Sequence, residues 1–241
     1  MKGNGTYDKR YEYFPDGTTK STDDVSFEDG LKTPGYAWDY ITLHQKGQYS
    51  PFYKNYYTES NPYITELADY IRKNSPSGEL LFFENWPVYT DRVTEKYSVY
   101  ESIVKGHEPD EYMDLVFGEI KSCYIKAAAQ IGNPGRIIPA GEAVYRAVTK
   151  YGFTEYVDNG SYEADDNFVS SARAMFRDKS SHLTSPYGKV LAGLTWYEYL
   201  TGNDARNNKY TNSKIPDDDM KLLKEIAHEV CSLPEYNPES R

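Results

Sequence analysis

The stretch Trp38-Asp39-Tyr40-Ile41-Thr42-Leu43-His44-Gln45 is rich in aromatic and β-branched residues and ends in polar side chains before Gly47. This composition and length are typical of a β-strand. Leu80-Leu81-Phe82-Phe83 and Arg136-Ile137-Ile138-Pro139 are two further apolar runs of strand length. Unbroken apolar runs are expected of strands covered on both faces. The three stretches therefore predict the core strands of one sheet.

Segments with apolar residues at helical spacing lie between and after these strands. The predicted helices cover residues 26–31, 61–74, 110–131, 142–151, 187–200 and 216–231. Strands that alternate with helices of this length indicate a parallel sheet with helices on both faces, joined by right-handed crossovers. We therefore expect an α/β fold.

Three strands make a thin sheet for a chain of 241 residues. The N-terminus predicts a polar hairpin, with a strand at 7–14, a turn at Pro15-Asp16-Gly17 and a return at 18–21. Either this hairpin extends the sheet, or further strands lie upstream and the fold is N-terminally incomplete. The predicted division has three parts: a hairpin excursion at 1–25, an α/β domain at 26–203, and, at 204–241, a linker with an amphipathic helix packed on the same domain.

Two segments are interpreted as connections between the core elements. Residues 85–108 form a long polar segment, and residues 152–168 are acidic and are interpreted as a flap. Cys123 and Cys231 both fall in predicted helices, far apart in the sequence. Buried free thiols are the favoured interpretation of these cysteines, and a single disulfide is the alternative.

The chain is acidic, with a formal net charge of -10. Its lysines and arginines are scattered, so we expect no nucleic-acid partner. No apolar run reaches the ~18 residues that span a bilayer, and no apolar segment follows Lys2 to form a signal peptide. We therefore expect no membrane partner. Localisation stays open: the chain is cytoplasmic as written, and secreted if an upstream segment precedes it.

The stretch Arg177-Asp178-Lys179-Ser180-Ser181-His182-Leu183-Thr184-Ser185-Pro186 carries the clearest chemistry. It places Asp178 and His182 on a short loop ahead of a helix, where an imidazole can be aimed into a cleft at the end of a sheet. A histidine that merely caps the following helix is the alternative. A hydrolase site also needs a nucleophile, and no convincing serine on a tight turn after a first strand is found.

Four blocks of the sequence arrive in a characteristic order. They are Trp38 to Gln45, Leu81-Phe82-Phe83-Glu84-Asn85-Trp86, Ile137-Ile138-Pro139-Ala140-Gly141-Glu142-Ala143, and Arg177 to Leu183 with Thr195-Trp196-Tyr197-Glu198 behind it. In this order they resemble the SGNH/GDSL hydrolase superfamily, and more narrowly the bacterial SGNH-like domains of unassigned function. The resemblance covers roughly residues 26–203.

The resemblance implies a flavodoxin-like, three-layer fold with a Ser-His-Asp site at the carboxyl end of the sheet. His182 matches the general base and Asp178 its orienting acid. The superfamily places that acid three residues before the histidine, where this chain has Lys179, so the loop here is one residue longer. Gln45 matches the position of an oxyanion-hole amide. The block that carries the serine has no counterpart in the chain.

Gln45 has two interpretations: an oxyanion donor, or a structural amide that satisfies loop backbone. His44 alternates with Gln45 across the strand, so we expect His44 to pack. Trp86, Tyr49 and Asn85 are the predicted substrate-binding residues. A tyrosine presents a flat apolar face together with a hydroxyl group, which suits stacking against a sugar ring. Filling the core and the surface is the alternative role of the 25 tyrosines.

No cofactor and no metal site are predicted. His228-Glu229 lacks the second histidine of a zinc-peptidase helix, and no cysteine or histidine spacing suits a structural zinc. The glycines of Gly188-Lys189-Val190-Leu191-Ala192-Gly193-Leu194-Thr195 have the outer spacing of a phosphate loop, but no lysine follows the second glycine.

Two functional hypotheses follow. In the first, the chain is an SGNH-type domain whose intact relatives cleave small-molecule or carbohydrate esters, and this chain is inactive or incomplete without the serine. In the second, it is a non-catalytic domain that binds a glycan or a protein through the Tyr-rich loop 48–57 and the Trp86 region. Whether the chain is an enzyme stays open.

Partners of the same chain are also predicted. If the first strand and helix of the fold are absent, the strand built on Ile41 and Leu43 has an open edge. We expect either that the hairpin covers this edge, or that the chain forms a homo-oligomer through it.

Overall fold

A computed structural model describes residues 6–14, 16–32, 37–156, 172–178, 182–184 and 186–236. The strands in these ranges are β1 (Thr6–Tyr13), β2 (Thr19–Ser26), β3 (Tyr40–Leu43), β4 (Glu79–Phe83), β5 (Ile137–Ile138), β6 (Thr154–Tyr156) and β7 (Ala174–Phe176). The α-helices are α1 (Phe27–Leu31), α2 (Tyr63–Asn74), α3 (Thr90–Glu95), α4 (Tyr97–Val104), α5 (Tyr112–Gln130), α6 (Ala140–Thr149), α7 (Gly188–Thr201) and α8 (Asp217–Cys231).

The central sheet is parallel, with the order β3-β4-β5. Its middle strand is covered on both faces, and its residues Leu80, Leu81 and Phe82 are at most 2% exposed. An apolar core on one face of the sheet includes residues of α2, α4 and α5. A second apolar core, on the other face, includes residues of α6, α7 and α8. The predicted α/β class is confirmed, as a three-layer arrangement of helices, sheet and helices.

The helices expected from periodicity are present, and they begin within about two residues of the predicted positions. Local signals explain this agreement. Ser26 precedes α1, and its hydroxyl oxygen accepts a hydrogen bond from the backbone N–H of Asp29 at 3.0 Å. Gly202 ends α7 in the left-handed conformation, with φ of 68°.

The long polar connection over 85–108 contains two helices that the sequence analysis did not predict, α3 and α4. Both helices are short, so their apolar positions are few. Val93, Tyr100 and Val104 nevertheless reach the core and are at most 3% exposed. Tertiary burial therefore stabilises helices that the periodicity of the sequence did not indicate.

A second, two-stranded parallel sheet joins β6 and β7. The sequence indicated no strand at either place, because both are only three residues long. β6 lies inside the segment interpreted as a flap, and the part of that segment beyond residue 156 falls outside the described residues. β7 leads directly to Asp178, which lies two residues beyond its end.

The N-terminal hairpin is present and its return strand is longer than predicted. β1 and β2 pair with each other in a sheet of their own, which is not joined to β3. The alternative in which the hairpin extends the central sheet is therefore wrong for the described residues. The hairpin continues into α1, whose Phe27 stacks on Tyr70 of α2 with ring centroids 5.9 Å apart.

The favoured interpretation of the cysteines is confirmed: Cys123 and Cys231 are free and buried. Burial raises the pKa of the Cys123 thiol to about 12, so this thiol stays protonated at neutral pH. Among the described residues, no helix has the length and apolarity that crossing a bilayer requires.

Candidate functional site

Asp178 and His182 form a hydrogen-bonded pair just beyond the carboxyl end of β7. The Nδ1 atom of His182 lies 2.6 Å from Oδ2 of Asp178. The Asp178 side chain is fully buried, whereas that of His182 is 56% exposed. A carboxylate in this position accepts the Nδ1–H of the ring and leaves Nε2 as the acceptor. The predicted pair is therefore brought together with the geometry of an oriented base.

The loop that carries this pair is held at both ends by backbone hydrogen bonds. The N–H of Arg177 donates to the carbonyl of His182 at 2.9 Å, and the N–H of Thr184 donates to the carbonyl of Met175 at 2.8 Å. The chain therefore turns back along β7. Residues 179–181, at the tip of the turn, fall outside the described residues. Two fixed backbone bonds thus set the position of His182 from both sides.

The first residue of the helix that follows is contacted by Thr184, not by His182. The Thr184 hydroxyl oxygen accepts from the N–H of Gly188 at 2.9 Å and donates to the carbonyl of Ala174 at 2.9 Å. His182 instead directs its ring at Asp178. The alternative of a helix-capping histidine does not describe its contacts.

Asp178 also faces a guanidinium group. The Nε atom of Arg177 lies 3.7 Å from Oδ2 of Asp178, the same oxygen that bonds His182. A fully buried carboxylate needs such partners, because an unpaired buried charge is strongly unfavourable. The guanidinium group therefore gives the buried carboxyl group a second partner beside the ring of His182.

Gln45 is at the carboxyl end of β3, and its side chain serves the loop that follows. Its Nε2 donates to the carbonyl of Asn55 at 3.1 Å, and its Oε1 accepts from the N–H of Lys46 at 2.9 Å. Its backbone N–H donates to the hydroxyl of the buried Tyr124 at 3.0 Å. These contacts are those of the structural alternative. The role of Gln45 as an oxyanion donor stays a prediction.

Asn85 joins the loops after β3 and β4. Its Nδ2 donates to the backbone carbonyl of Gln45, and the residue is 6% exposed. The backbone oxygen of Asn85 lies where α6 begins, and a Cβ atom on Gly141 would sit 2.1 Å from it. Asn85 therefore links the ends of β3 and β4. Its role in binding a substrate stays a prediction.

Trp86 and Tyr49 lie in different surroundings. Trp86 is partly buried and packs edge-on against Phe83, with ring centroids 5.9 Å apart. Phe83 also packs against Trp196 of α7 at 5.1 Å. Tyr49 is 45% exposed, and the Nζ atom of Lys46 lies 5.9 Å from its ring centroid. Trp86 thus belongs to a row of three partly exposed aromatic rings, Trp86, Phe83 and Trp196, which we call the aromatic row.

Most of the Tyr-rich loop packs inward. Tyr56 is 3% exposed, and Tyr53 stacks on it with ring centroids 6.2 Å apart. This loop, His44 and residues of α2 line a small cavity of about 130 Å³ at the end of β3. His44 also contacts Phe83 edge-on at 6.0 Å, and desolvation lowers the pKa of its imidazole. His44 is nevertheless an exposed residue, so the packing predicted for it stays a prediction.

Glu84, immediately after β4, is a buried acid that the sequence analysis missed. Its Oε1 accepts from the hydroxyl of Tyr236 at 2.7 Å and its Oε2 from the N–H of Glu142 at 2.8 Å. Desolvation raises the pKa of this fully buried carboxyl to about 8, with the charge of Glu142 adding to the shift. No local pattern indicates it, because its partners are distant in the sequence.

A group that could hold a metal joins α7, α8 and the loop between them. It consists of Glu198, Asp204 and His228, and Nδ1 of His228 lies 2.8 Å from Oε1 of Glu198. Both oxygens of Asp204 accept from Arg206, which lowers the pKa of that carboxyl to about 2. The contact between Glu198 and His228 links α7 to α8 in this structure.

The described residues thus define a three-layer α/β protein with a buried carboxylate and a half-exposed histidine at the end of a strand. Over residues 5–230 the chain matches the family described as "Domain of unknown function (DUF4886)", and it belongs to that family. It is similar to the crystal structure of a DUF4886 family protein from Bacteroides uniformis, with a TM-score of 0.71 and 23% identity. The alignment covers 94% of this chain and 74% of that chain. No curated protein matches the sequence.

Proposed function

We propose that this chain provides the general-base half of an ester-hydrolysing site of the SGNH type. His182 is the base and Asp178 the residue that orients it. The observation that carries the proposal is the 2.6 Å contact between Nδ1 of His182 and a carboxylate oxygen of the fully buried Asp178. Such a pair fixes the imidazole tautomer and stabilises the imidazolium formed during the reaction.

In the proposed reaction, a hydroxyl group attacks the carbonyl carbon of an ester. Its proton passes to Nε2 of His182 as the new oxygen–carbon bond forms, and the charge on the ring is balanced by Asp178. The proton then goes from Nε2 to the leaving alcohol as the ester bond breaks. A water molecule next gives its proton to Nε2 and attacks the acylated hydroxyl, which takes that proton back as the carboxylic acid is released. The substrate class is an ester, and the proposal extends to acyl groups on carbohydrates.

No described residue is assigned as the source of the attacking hydroxyl group. None of the hydrogen bonds of the described residues engages Nε2 of His182, so no described serine is poised beside it. Without an activated serine, an acyl-transfer site loses several orders of magnitude in rate. The proposal therefore predicts very slow hydrolysis by this chain.

The test is hydrolysis of p-nitrophenyl acetate by the purified chain and three variants. We expect slow hydrolysis above background that His182→Ala abolishes and Asp178→Asn lowers at least about tenfold. His107→Ala is the matched control, since His107 is an exposed histidine paired with an acid, Glu111, at 3.4 Å. Equal rates in the His182 and His107 variants would contradict the proposal.

A serine-directed fluorophosphonate separates two versions of the proposal. We expect no stoichiometric label on this chain. A labelled serine together with loss of turnover means that the chain holds a complete site, and peptide mapping would begin with Ser50, Ser180 and Ser181. That result contradicts the half-site proposal while retaining the base role of His182.

The second candidate function is binding of a glycan without catalysis. One observation favours it, the aromatic row, because partly exposed rings suit stacking against sugars. Tryptophan fluorescence titrated with an acetylated oligosaccharide tests it. We expect the response to disappear in Trp86→Ala and to persist in Trp38→Ala, whose tryptophan lies before β3, at the other end of the sheet. An unchanged response in Trp86→Ala contradicts this candidate.

A further inference from the structure

The edge strand β3 differs from the other strands of the central sheet in its exposure. It pairs only with β4 among the described residues, and Ile41, Thr42 and Leu43 are all partly exposed. Tyr40, which begins the strand, is 41% exposed. The strand contains no charged residue and no proline, which are the usual features that protect a sheet edge.

The backbone groups on the open side of β3 follow from its pairing with β4. The N–H of Glu79 donates to the carbonyl of Asp39 at 2.9 Å. Because alternate residues of a parallel strand point their N–H and C=O to opposite sides, the odd-numbered residues of β3 bond to β4. Tyr40, Thr42 and His44 therefore present their N–H and C=O groups to the open side.

The side chains of β3 also divide into two sets. Ile41 and Leu43 pack against the core that includes α2 and α5. On the opposite face, the hydroxyl of Tyr40 donates to the carbonyl of Leu200 in α7, and His44 contacts Phe83. A strand added to this edge must therefore place apolar side chains beside Ile41 and Leu43, and side chains that fit beside Tyr40 and His44 on the opposite face.

A second copy of β3, running antiparallel about a two-fold axis at Thr42, meets both requirements. In this register Thr42 faces its own copy and Tyr40 faces His44, so the residues with free backbone groups form the hydrogen-bonded pairs. Ile41 faces Leu43, which continues the apolar face. The flanking residues match as well, because Asp39 faces Gln45 and no like charges meet across the edge.

We propose that this chain forms a two-fold symmetric dimer through its β3 edges, which turns two three-stranded sheets into one continuous six-stranded sheet. The register with the axis at Ile41 matches less well, since it places the Asp39 carboxylate opposite Leu43. The contact uses the same surface on both copies, so it closes after two chains. This inference is independent of the proposed function.

The test is sedimentation velocity over a range of concentrations with the full chain. We expect a dimer that dissociates on dilution. The decisive variant is Thr42→Pro, because it removes an N–H that faces the open side and none that bonds β4. It should reduce the weight-average mass by half while the circular dichroism spectrum is unchanged.

A second variant covers the case in which the proline change disturbs the strand. Thr42→Arg places two guanidinium groups against each other at the axis and should also give a monomer. Thr19→Arg, at an exposed position of β2, is the matched control and should remain a dimer. A wild-type chain that is monomeric at every concentration, one that grows into open-ended species, or a folded Thr42→Pro dimer would each overturn the proposal.

Discussion

The carboxyl ends of β4 and β7 are built alike but differ in their access to solvent. Glu84 follows β4 and Asp178 lies two residues after β7, and both carboxyl groups are completely buried. At each place a helix begins against the strand end through a tightly packed glycine, Gly141 in α6 and Gly188 in α7. The backbone frame is therefore alike at the two ends.

The partners of the two acids make the difference. Glu84 bonds to Tyr236, which is 1% exposed, and to a backbone N–H, so its surroundings are sealed. Asp178 bonds to His182, whose ring is half exposed. Burial of a carboxylate alone thus does not indicate function. The acid whose partner reaches solvent can support chemistry, whereas the sealed acid can only affect stability.

The largest expected effect in this comparison comes from removing the sealed acid. Glu84→Ala leaves the Tyr236 hydroxyl and the Glu142 N–H without partners in the core and opens a cavity. It should lower the free energy of unfolding by ~3–5 kcal/mol in urea denaturation.

Two controls give that measurement its meaning. Asp178→Ala should lower the free energy of unfolding by less than half as much, because water can reach His182 in the variant. Glu66→Ala, on the exposed side of α2, should change it by less than about 0.5 kcal/mol. Equal losses for Glu84→Ala and Asp178→Ala would remove the distinction between sealed and open ends.

The next effect is a pH dependence of stability that belongs to Glu84. Its pKa is raised to about 8 in the folded state by desolvation, against about 4.5 when unfolded. The folded state therefore binds the extra proton between these values, and the stabilisation is complete below pH 4.5 and is lost as pH rises through about 8. Of the charges facing it, Glu142 raises this pKa and Lys121 lowers it.

The variant Glu84→Gln tests this dependence, because an amide resembles the neutral acid and can accept from the Glu142 N–H while donating to Tyr236. We expect the variant to be more stable than the wild type at pH 8 by a few kcal/mol. Between pH 5 and pH 8 the free energy of unfolding of the wild type should fall by roughly 1 kcal/mol per pH unit because of Glu84, and that of the variant should lack this fall. Urea denaturation at the two pH values measures both. Parallel pH profiles for wild type and variant would show that Glu84 is ionised in the folded protein.

The two glycines give a smaller effect that compares the frames directly. A Cβ atom at Gly141 or Gly188 would lie 2.1 or 2.5 Å from a backbone oxygen, so either change to alanine should lower stability by ~1–3 kcal/mol. Only Gly188→Ala should also reduce ester hydrolysis, since it displaces the loop that carries His182. Gly193→Ala meets no atom within 4 Å and should be neutral or slightly stabilising. If Gly141→Ala alone abolished hydrolysis, the site would lie at the end of β4 and not at the end of β7, which would contradict the account.

The sequence predicted those features whose signals are local. Residues 40–43 are aromatic, β-branched or apolar, and residues 80–83 form a continuous apolar run. The helices α2, α5 and α8 each have apolar residues at helical spacing on the side that packs in a core. The pair of Asp178 and His182 is also local, since the two residues are four positions apart in the chain. A loop of that length allows the contact without help from distant segments.

The features that were missed depend on distant segments. Tyr236 reaches Glu84 across 152 residues, so no window of sequence contains both. The short helices α3 and α4 and the strands β6 and β7 form because they are buried by tertiary contacts, which override weak local preferences. Gln45 was correctly placed at a strand end, but its side-chain partners, Asn55 and Lys46, could not be chosen from spacing alone.

The central claim is that Asp178 holds the His182 ring with its proton on Nδ1 and leaves Nε2 free to accept one. The ¹⁵N chemical shifts of the imidazole, measured at a pH where the ring is neutral, report the tautomer directly. We predict an Nδ1–H tautomer for His182 in the wild type, and the Nε2–H tautomer in Asp178→Asn, whose amide donates to Nδ1. A wild-type His182 that carries its proton on Nε2 would contradict the account.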